Sequence, residues 1–220
     1  MKQHRDITPL ILSILLITGI IILAFLRHRY GIGAWAKHPV DVDIIFVGLY
    51  VVWILVESPI AKKDVITEGK QTLDFGTCQI YAIGQACTFL TALWFPSVWH
   101  TSFAAHFMGV LIFLCGVLYR LWAIRTLGQF YSHRVRKVAQ HQIVDSGPYR
   151  FIRHPAYAGM IIANIGLALY FFNWVTFAVF LFVLVPSIVL RISIEEKMLF
   201  ELEGYTNYAK RRKRLIPAIW

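Results

Sequence analysis

From Ile7 to Leu26 the chain runs without one charged side chain, a stretch long enough to cross the hydrocarbon core of a bilayer as a helix. No other feature constrains the fold as strongly. Backbone groups in lipid must bond to one another, which admits only helices or closed barrels. Five further apolar runs follow, at about Ile44–Ala61, Phe75–Pro96, Phe103–Ile124, Ala156–Phe172 and Trp174–Leu190. None alternates apolar and polar residues as a barrel strand would. The prediction is an all-α, polytopic integral membrane bundle of about six segments. The last two runs, joined at Asn173, are predicted to form a helical hairpin or one bent re-entrant unit, and both are short for full spans.

Charge distribution gives the orientation. The 22 Lys and Arg residues crowd alternate connections: two at the N-terminus, three after the second run, seven from Arg120 onward and seven from Arg191 onward. The opposite side has three after the first run and none elsewhere. Both termini are therefore predicted cytoplasmic. The net charge of +10 would suit nucleic acid, but its placement between apolar runs fits anionic lipid instead. No nucleic-acid partner is predicted, and "KRRKR" at Lys210–Arg214 is expected to face anionic lipid.

Several lesser signals point away from function. "MKQHR" followed by an apolar run resembles a signal peptide, but the run is long and Arg27 and Arg29 precede "AWA", so a retained span is expected. Cys78, Cys87 and Cys115 lack metal or redox spacing and read as small buried hydrophobes. His133, His141 and His154 share no helical face and no acidic partner pattern, so no metal centre is predicted. "GIGAWA" from Gly31 follows no strand, which removes its value as a dinucleotide motif. Glu57 and Arg120, near run ends, are expected to snorkel or to pair structurally.

Two polar constellations remain. The connection from about Gly128 to Pro155 is long and contains "DSGPYR", a turn in which Gly147 permits unusual dihedrals and Pro148 fixes the next. "RHPAY" then opens a helix, since proline suits a first turn, and the N–H groups left there favour anionic ligands. In "RISIEEKMLFE", Arg191 and Glu195 share a helical face at the end of the last apolar run. Ionisable groups at such a boundary are functional candidates, although a surface ion pair is the simpler account of the spacing.

"HQIVDSGPYRFIRHPAYAG", an apolar hairpin, "RISIEE" and "GYTNYAKRRKRLIP" follow one another in that order. Together they resemble the isoprenylcysteine carboxyl methyltransferase family and, more distantly, the phospholipid N-methyltransferases. The resemblance runs from about Gly128 to Ile219, leaving residues 1–127 as an N-terminal region of four spans and 128–220 as a methyltransferase-like region. It implies an S-adenosyl-L-methionine-dependent membrane enzyme with its site at the cytoplasmic face. It places cofactor contacts at His141, Gln142, Ile143, Val144, Tyr149, His154, Pro155, Ala156, Tyr157 and Glu195, with Arg191 on the acceptor side. Where the family commonly has a glutamine after "SH", this chain has Arg136 or its neighbours.

The chemistry of these residue types agrees. Glu195 or Glu196 suits ribose or ammonium hydrogens, tyrosine faces suit a sulfonium or an adenine, and a helix start with His154 suits a carboxylate. Arg191, with Arg153 as second candidate, suits a carboxylate acceptor gripped through two parallel hydrogen bonds. A lipophilic acceptor would enter sideways from the bilayer. An amine acceptor, as in phospholipid N-methylation, would need a route for its proton and gains nothing from an adjacent arginine. A non-catalytic transporter or sensor would place polar residues along several helices or in paired repeats.

Overall fold

A computed structural model describes residues 8–30, 40–66, 76–99, 102–131, 143–217 and 219–220. Its helices are α1 (Thr8–Tyr30), α2 (Val40–Ile66), α3 (Thr77–Trp94), α4 (Phe103–Leu127), α5 (Pro155–Tyr170), α6 (Trp174–Val179), α7 (Val185–Leu199) and α8 (Tyr205–Arg211). No strand occurs among the described residues; one isolated parallel bridge pairs Ile152 with Lys213. The helices coincide with the apolar runs because those runs carry neither the alternation of strands nor the glycine and proline clusters of loops.

α6 and α7 form one rod through a single π turn at Phe180–Leu184. Pro186 explains it: a proline has no N–H to give the carbonyl four residues earlier, and the helix absorbs the defect by widening. The Val185 N–H reaches back five residues to the Phe180 carbonyl. The rod continues to Leu199, well past the expected end at Leu190. Trp174–Leu199 and Phe103–Phe130 are, among the described residues, the two helices long and apolar enough to cross a membrane. The last apolar run is therefore not short, although α5 has only 16 residues.

The hairpin at Asn173 forms, but its two arms pack elsewhere: α5 lies along α4, and the α6–α7 rod lies along α3. Glycines create the first contact. A β-carbon on Gly159 would sit 2.7 Å from the Arg120 nitrogen, and one on Gly109 would sit 2.8 Å from Tyr170 Cβ. Gly116 and Gly166 meet the backbones of Ala163 and Phe113 closer still. Small residues let helix backbones touch in membranes, where apolar burial between helices gains little.

At mid-height Phe46 meets the rings of Phe113 and Tyr170 at 4.8 and 4.4 Å, and Tyr50 stacks on Phe89 at 3.7 Å. Gln85 and Asn164 exchange hydrogen bonds of 2.9 and 3.2 Å, and Gln85 also donates to the Tyr50 hydroxyl at 2.8 Å. Buried amides satisfied in this way tie α2, α3 and α5 together at little desolvation cost. Outward-facing Leu15, Ile45, Leu118 and Phe182 are exposed, as an acyl-chain environment demands.

Candidate active site

α5 begins where the sequence says it should. Gly147 has φ +55°, a conformation that side chains with a β-carbon seldom adopt, and it opens the turn Gly147–Arg150. His154 is the residue before the helix, Pro155 is its first residue, and no side chain caps this end. The first intrahelical bond runs from the Ala158 N–H to the His154 carbonyl at 3.1 Å. The N–H groups of Ala156 and Tyr157 therefore precede the helical ladder. Ala156 packs with Tyr149, Val144 and the α4 residues Ala123 and Ile124, while Ile143 lies against Gly204. Burial holds the Tyr149 hydroxyl well above the usual phenol range, so it stays neutral.

Glu195 and Glu196, adjacent in α7, are used differently. Glu196 is 2% exposed and takes three basic groups: Arg153 at 2.8 Å and His154 Nε2 at 3.1 Å on one oxygen, and Arg214 Nε at 2.7 Å on the other. Glu195 is partly exposed and accepts one bond, from the Tyr157 hydroxyl at 2.8 Å. The same hydroxyl accepts from Arg191 Nε at 2.8 Å, and Arg191 also donates to the Thr77 hydroxyl at 3.2 Å. Thr77 opens α3, so Arg191 links α3, α5 and α7 while only 2% exposed.

Arg120 is a second buried arginine at this end. It forms a two-pronged pair with Glu57, at 2.7 and 2.8 Å, and donates to the Ala156 carbonyl at 3.0 Å and the Tyr131 hydroxyl at 3.1 Å. Trp53 donates to the same carboxylate at 2.6 Å. The structural pairing expected for Glu57 and Arg120 is present, and it bears on the first turn of α5.

The structure thus brings predicted site residues into two neighbouring hydrogen-bonded groups, Arg191–Tyr157–Glu195 and Arg153–His154–Glu196, which meet at the adjacent Glu195 and Glu196 of α7, with Val144, Tyr149 and Ala156 clustered beside them. Pro155 is buried at the junction. His141, Gln142 and Arg136 lie outside the described residues. Sequence reasoning missed Thr77 and Tyr131, which stand in no recognisable pattern. It also misjudged part of the basic tail. Lys210, Arg211 and Lys213 are exposed, but Arg214 turns onto Glu196, and Arg212 donates to the Arg150 carbonyl at 3.1 Å and covers the Tyr208 ring at 4.8 Å. The signal was available: Tyr205 and Tyr208, three residues apart, are both buried and anchor the segment. Burial pushes the Tyr208 hydroxyl up to about 12, which keeps it a donor to the Tyr149 carbonyl, 2.8 Å away.

Among known proteins, the sequence model of the isoprenylcysteine carboxyl methyltransferase family matches residues 108–201. A protein-S-isoprenylcysteine O-methyltransferase of Saccharomyces cerevisiae is 35% identical over 116 residues, 51% of this chain and 48% of the yeast protein. A rice protein (Oryza sativa subsp. indica) named "probable protein-S-isoprenylcysteine O-methyltransferase" is 30% identical over 132 residues, 58% of this chain and 69% of its own length. The match therefore spans about half the length of the yeast relative. A solved structure of a eukaryotic intramembrane Ras methyltransferase aligns over 94% of this chain and 96% of its own, at 20% identity and a TM-score of 0.45.

Proposed function

This chain belongs to the isoprenylcysteine carboxyl methyltransferase family, and on that premise we propose that it methylates the carboxylate of a lipophilic, isoprenylcysteine-like acceptor with S-adenosylmethionine as donor. The observation that carries this reading is the hydrogen-bonded run from buried Arg191 through Tyr157 to Glu195, which ends on a partly exposed carboxylate with capacity to accept further hydrogens.

The residues suit such a donor. Arg153 Nε and the Tyr205 hydroxyl are buried without hydrogen-bond partners, and the first turn of α5, two residues after Arg153, has uncapped N–H groups. Those groups match a carboxylate, while Glu195 matches ribose hydroxyls or an ammonium. Ile143, Val144, Tyr149 and Ala156 offer an apolar and aromatic wall for adenine, and Tyr157 a face for a cation. His141 and Gln142 are assigned to the donor by the family resemblance alone. S-Adenosylmethionine supplies a methyl group on a positively charged sulfur.

Arg191 is assigned to the acceptor, whose carboxylate it orients for in-line attack. The acceptor's carboxylate oxygen would take the methyl group, with the electron pair of the broken carbon–sulfur bond left on the donor's sulfur. No proton moves, so no general base is needed; orientation and exclusion of water carry the rate. Arg153 and Glu196, with His154, hold the turn that opens α5. In this reading all six apolar helical stretches cross the membrane and both termini are cytoplasmic. The donor arrives from the cytosol and the acceptor from the bilayer, while Lys210, Arg211 and Lys213 meet anionic lipid.

The test is calorimetric titration of detergent-purified protein with S-adenosylhomocysteine. Binding that survives Arg191→Ala but is lost in Glu195→Ala supports the division of roles. A folded, monodisperse parent that binds nothing removes the methyltransferase reading.

A further inference from the structure

The tail beyond α8 does more than leave the membrane. Its backbone runs parallel to the segment that enters α5: the Arg153 N–H donates to the Lys213 carbonyl at 2.8 Å, and the His154 N–H to the Arg214 carbonyl at 3.0 Å. His154 is the last residue before α5, and Pro155 has no N–H, so the tail supplies the acceptors for the final donors ahead of the helix. Side chains repeat the attachment. Arg214 Nε occupies one oxygen of Glu196 while Arg153 and His154 share the other.

The tail is itself fastened. Leu215 is buried in the main core, the Leu215 and Ile216 N–H groups donate to the Trp220 carbonyl at 2.8 Å, and Arg214 lies over the Trp220 ring at 5.4 Å. Further upstream, the Tyr208 hydroxyl and Arg212 Nε bind the carbonyls of Tyr149 and Arg150. Residues 149, 150, 153 and 154 are thus each bonded to the chain's last sixteen residues.

We propose that Arg214 is a positioning residue for the methyl-donor site, acting through Glu196 to set the geometry of the Arg153–Tyr157 turn. This rests on the donor site proposed above. Glu196, buried and bonded to three basic groups, fixes the His154 ring and the Arg153 side chain together. Removing the Arg214 guanidinium takes away one charge-assisted bond and leaves the tail joined to residues 153 and 154 by backbone alone. Arg214 touches neither reacting atom, so its loss weakens donor binding rather than the chemical step.

Arg214→Ala and Arg214→Lys are compared with the parent and with Glu203→Ala, an exposed position that makes none of these contacts. Three readouts are needed: the Kd for S-adenosylhomocysteine by calorimetry, the donor KM and kcat with a prenylcysteine analogue, and the unfolding midpoint. Arg214→Ala is expected to raise Kd and KM about 10-fold, the worth of one such bond, with kcat within about twofold of the parent. Arg214→Lys recovers part of the loss, and Glu203→Ala matches the parent. A parent-like Kd and KM in Arg214→Ala overturns the proposal, as does a fall in kcat at constant KM, or a lower midpoint with unchanged affinity. If Arg214→Ala does not fold, Arg214→Lys decides: a raised Kd supports positioning and an unchanged one refutes it. A parent that binds no S-adenosylhomocysteine removes the donor site and this inference with it, whereas a binding parent with indifferent Arg214 variants removes this inference alone.

Discussion

The two ends of the bundle are built from different chemistry. Where α3 finishes and α6 starts, closure is neutral: Trp99 Nε1 donates to the Leu169 carbonyl at 2.8 Å, the Val98 N–H to Phe172 at 2.7 Å, and Asn173 caps the Thr176 N–H at 2.8 Å. Where α4 finishes and α5 starts, closure is ionic: Glu57 with Arg120, and Glu196 with Arg153, His154 and Arg214. Neutral caps suffice to end a helix, and removing two charges from water is costly. Under the proposed function, the charged end carries that cost because it also holds the polar methyl donor.

The largest test of this contrast is Glu57→Ala. It leaves the Arg120 guanidinium buried without its carboxylate, and the expected loss is about 3–5 kcal/mol, seen as an earlier unfolding midpoint in detergent. The double variant Glu57→Ala/Arg120→Met should recover much of it; a single variant as stable as the parent would mean that this pair does not hold the charged end together. Gly116→Ala comes next. Its β-carbon would collide with the Ala163 backbone, costing about 1–3 kcal/mol by overpacking, readable by the same melt.

Glu195→Gln separates site from scaffold. The affinity for S-adenosylhomocysteine should fall about 10-fold with the midpoint almost unmoved, because Glu195 accepts a single internal bond. Glu196→Gln should lower the midpoint. Matching effects from the two variants would erase the distinction between the neighbouring carboxylates. The smallest effect belongs to the neutral end: Asn173→Ala removes a cap worth about 1 kcal/mol and should leave ligand affinity intact.

Much of the framework was legible because lipid leaves the chain few choices. Apolar runs had to become helices, Asn173 between two of them had to be a turn, and Gly147 and Pro155 announced a loop and a helix entry. The site's membership was legible only as a set of residue types. That Glu196 would face three basic groups depends on the tail running beside residues 152–154, a pairing between segments some sixty positions apart. A run of five basic residues looks uniformly solvent-facing in sequence, yet Arg212 and Arg214 turn inward because Tyr205, Tyr208 and Leu215 bury the segment that carries them. Nor did the spacing of Gly109 with Gly116, and of Gly159 with Gly166, declare itself, since a glycine in an apolar run looks like a tolerated weak point until its partner helix is known.

That glycine contact restricts traffic. Along α4 and α5 the main chains touch with no side chain between them, so no doorway exists there for a hydrocarbon tail to slip through. Under the proposed function, a greasy acceptor travelling in the plane of the bilayer would have to enter between a different pair of helices.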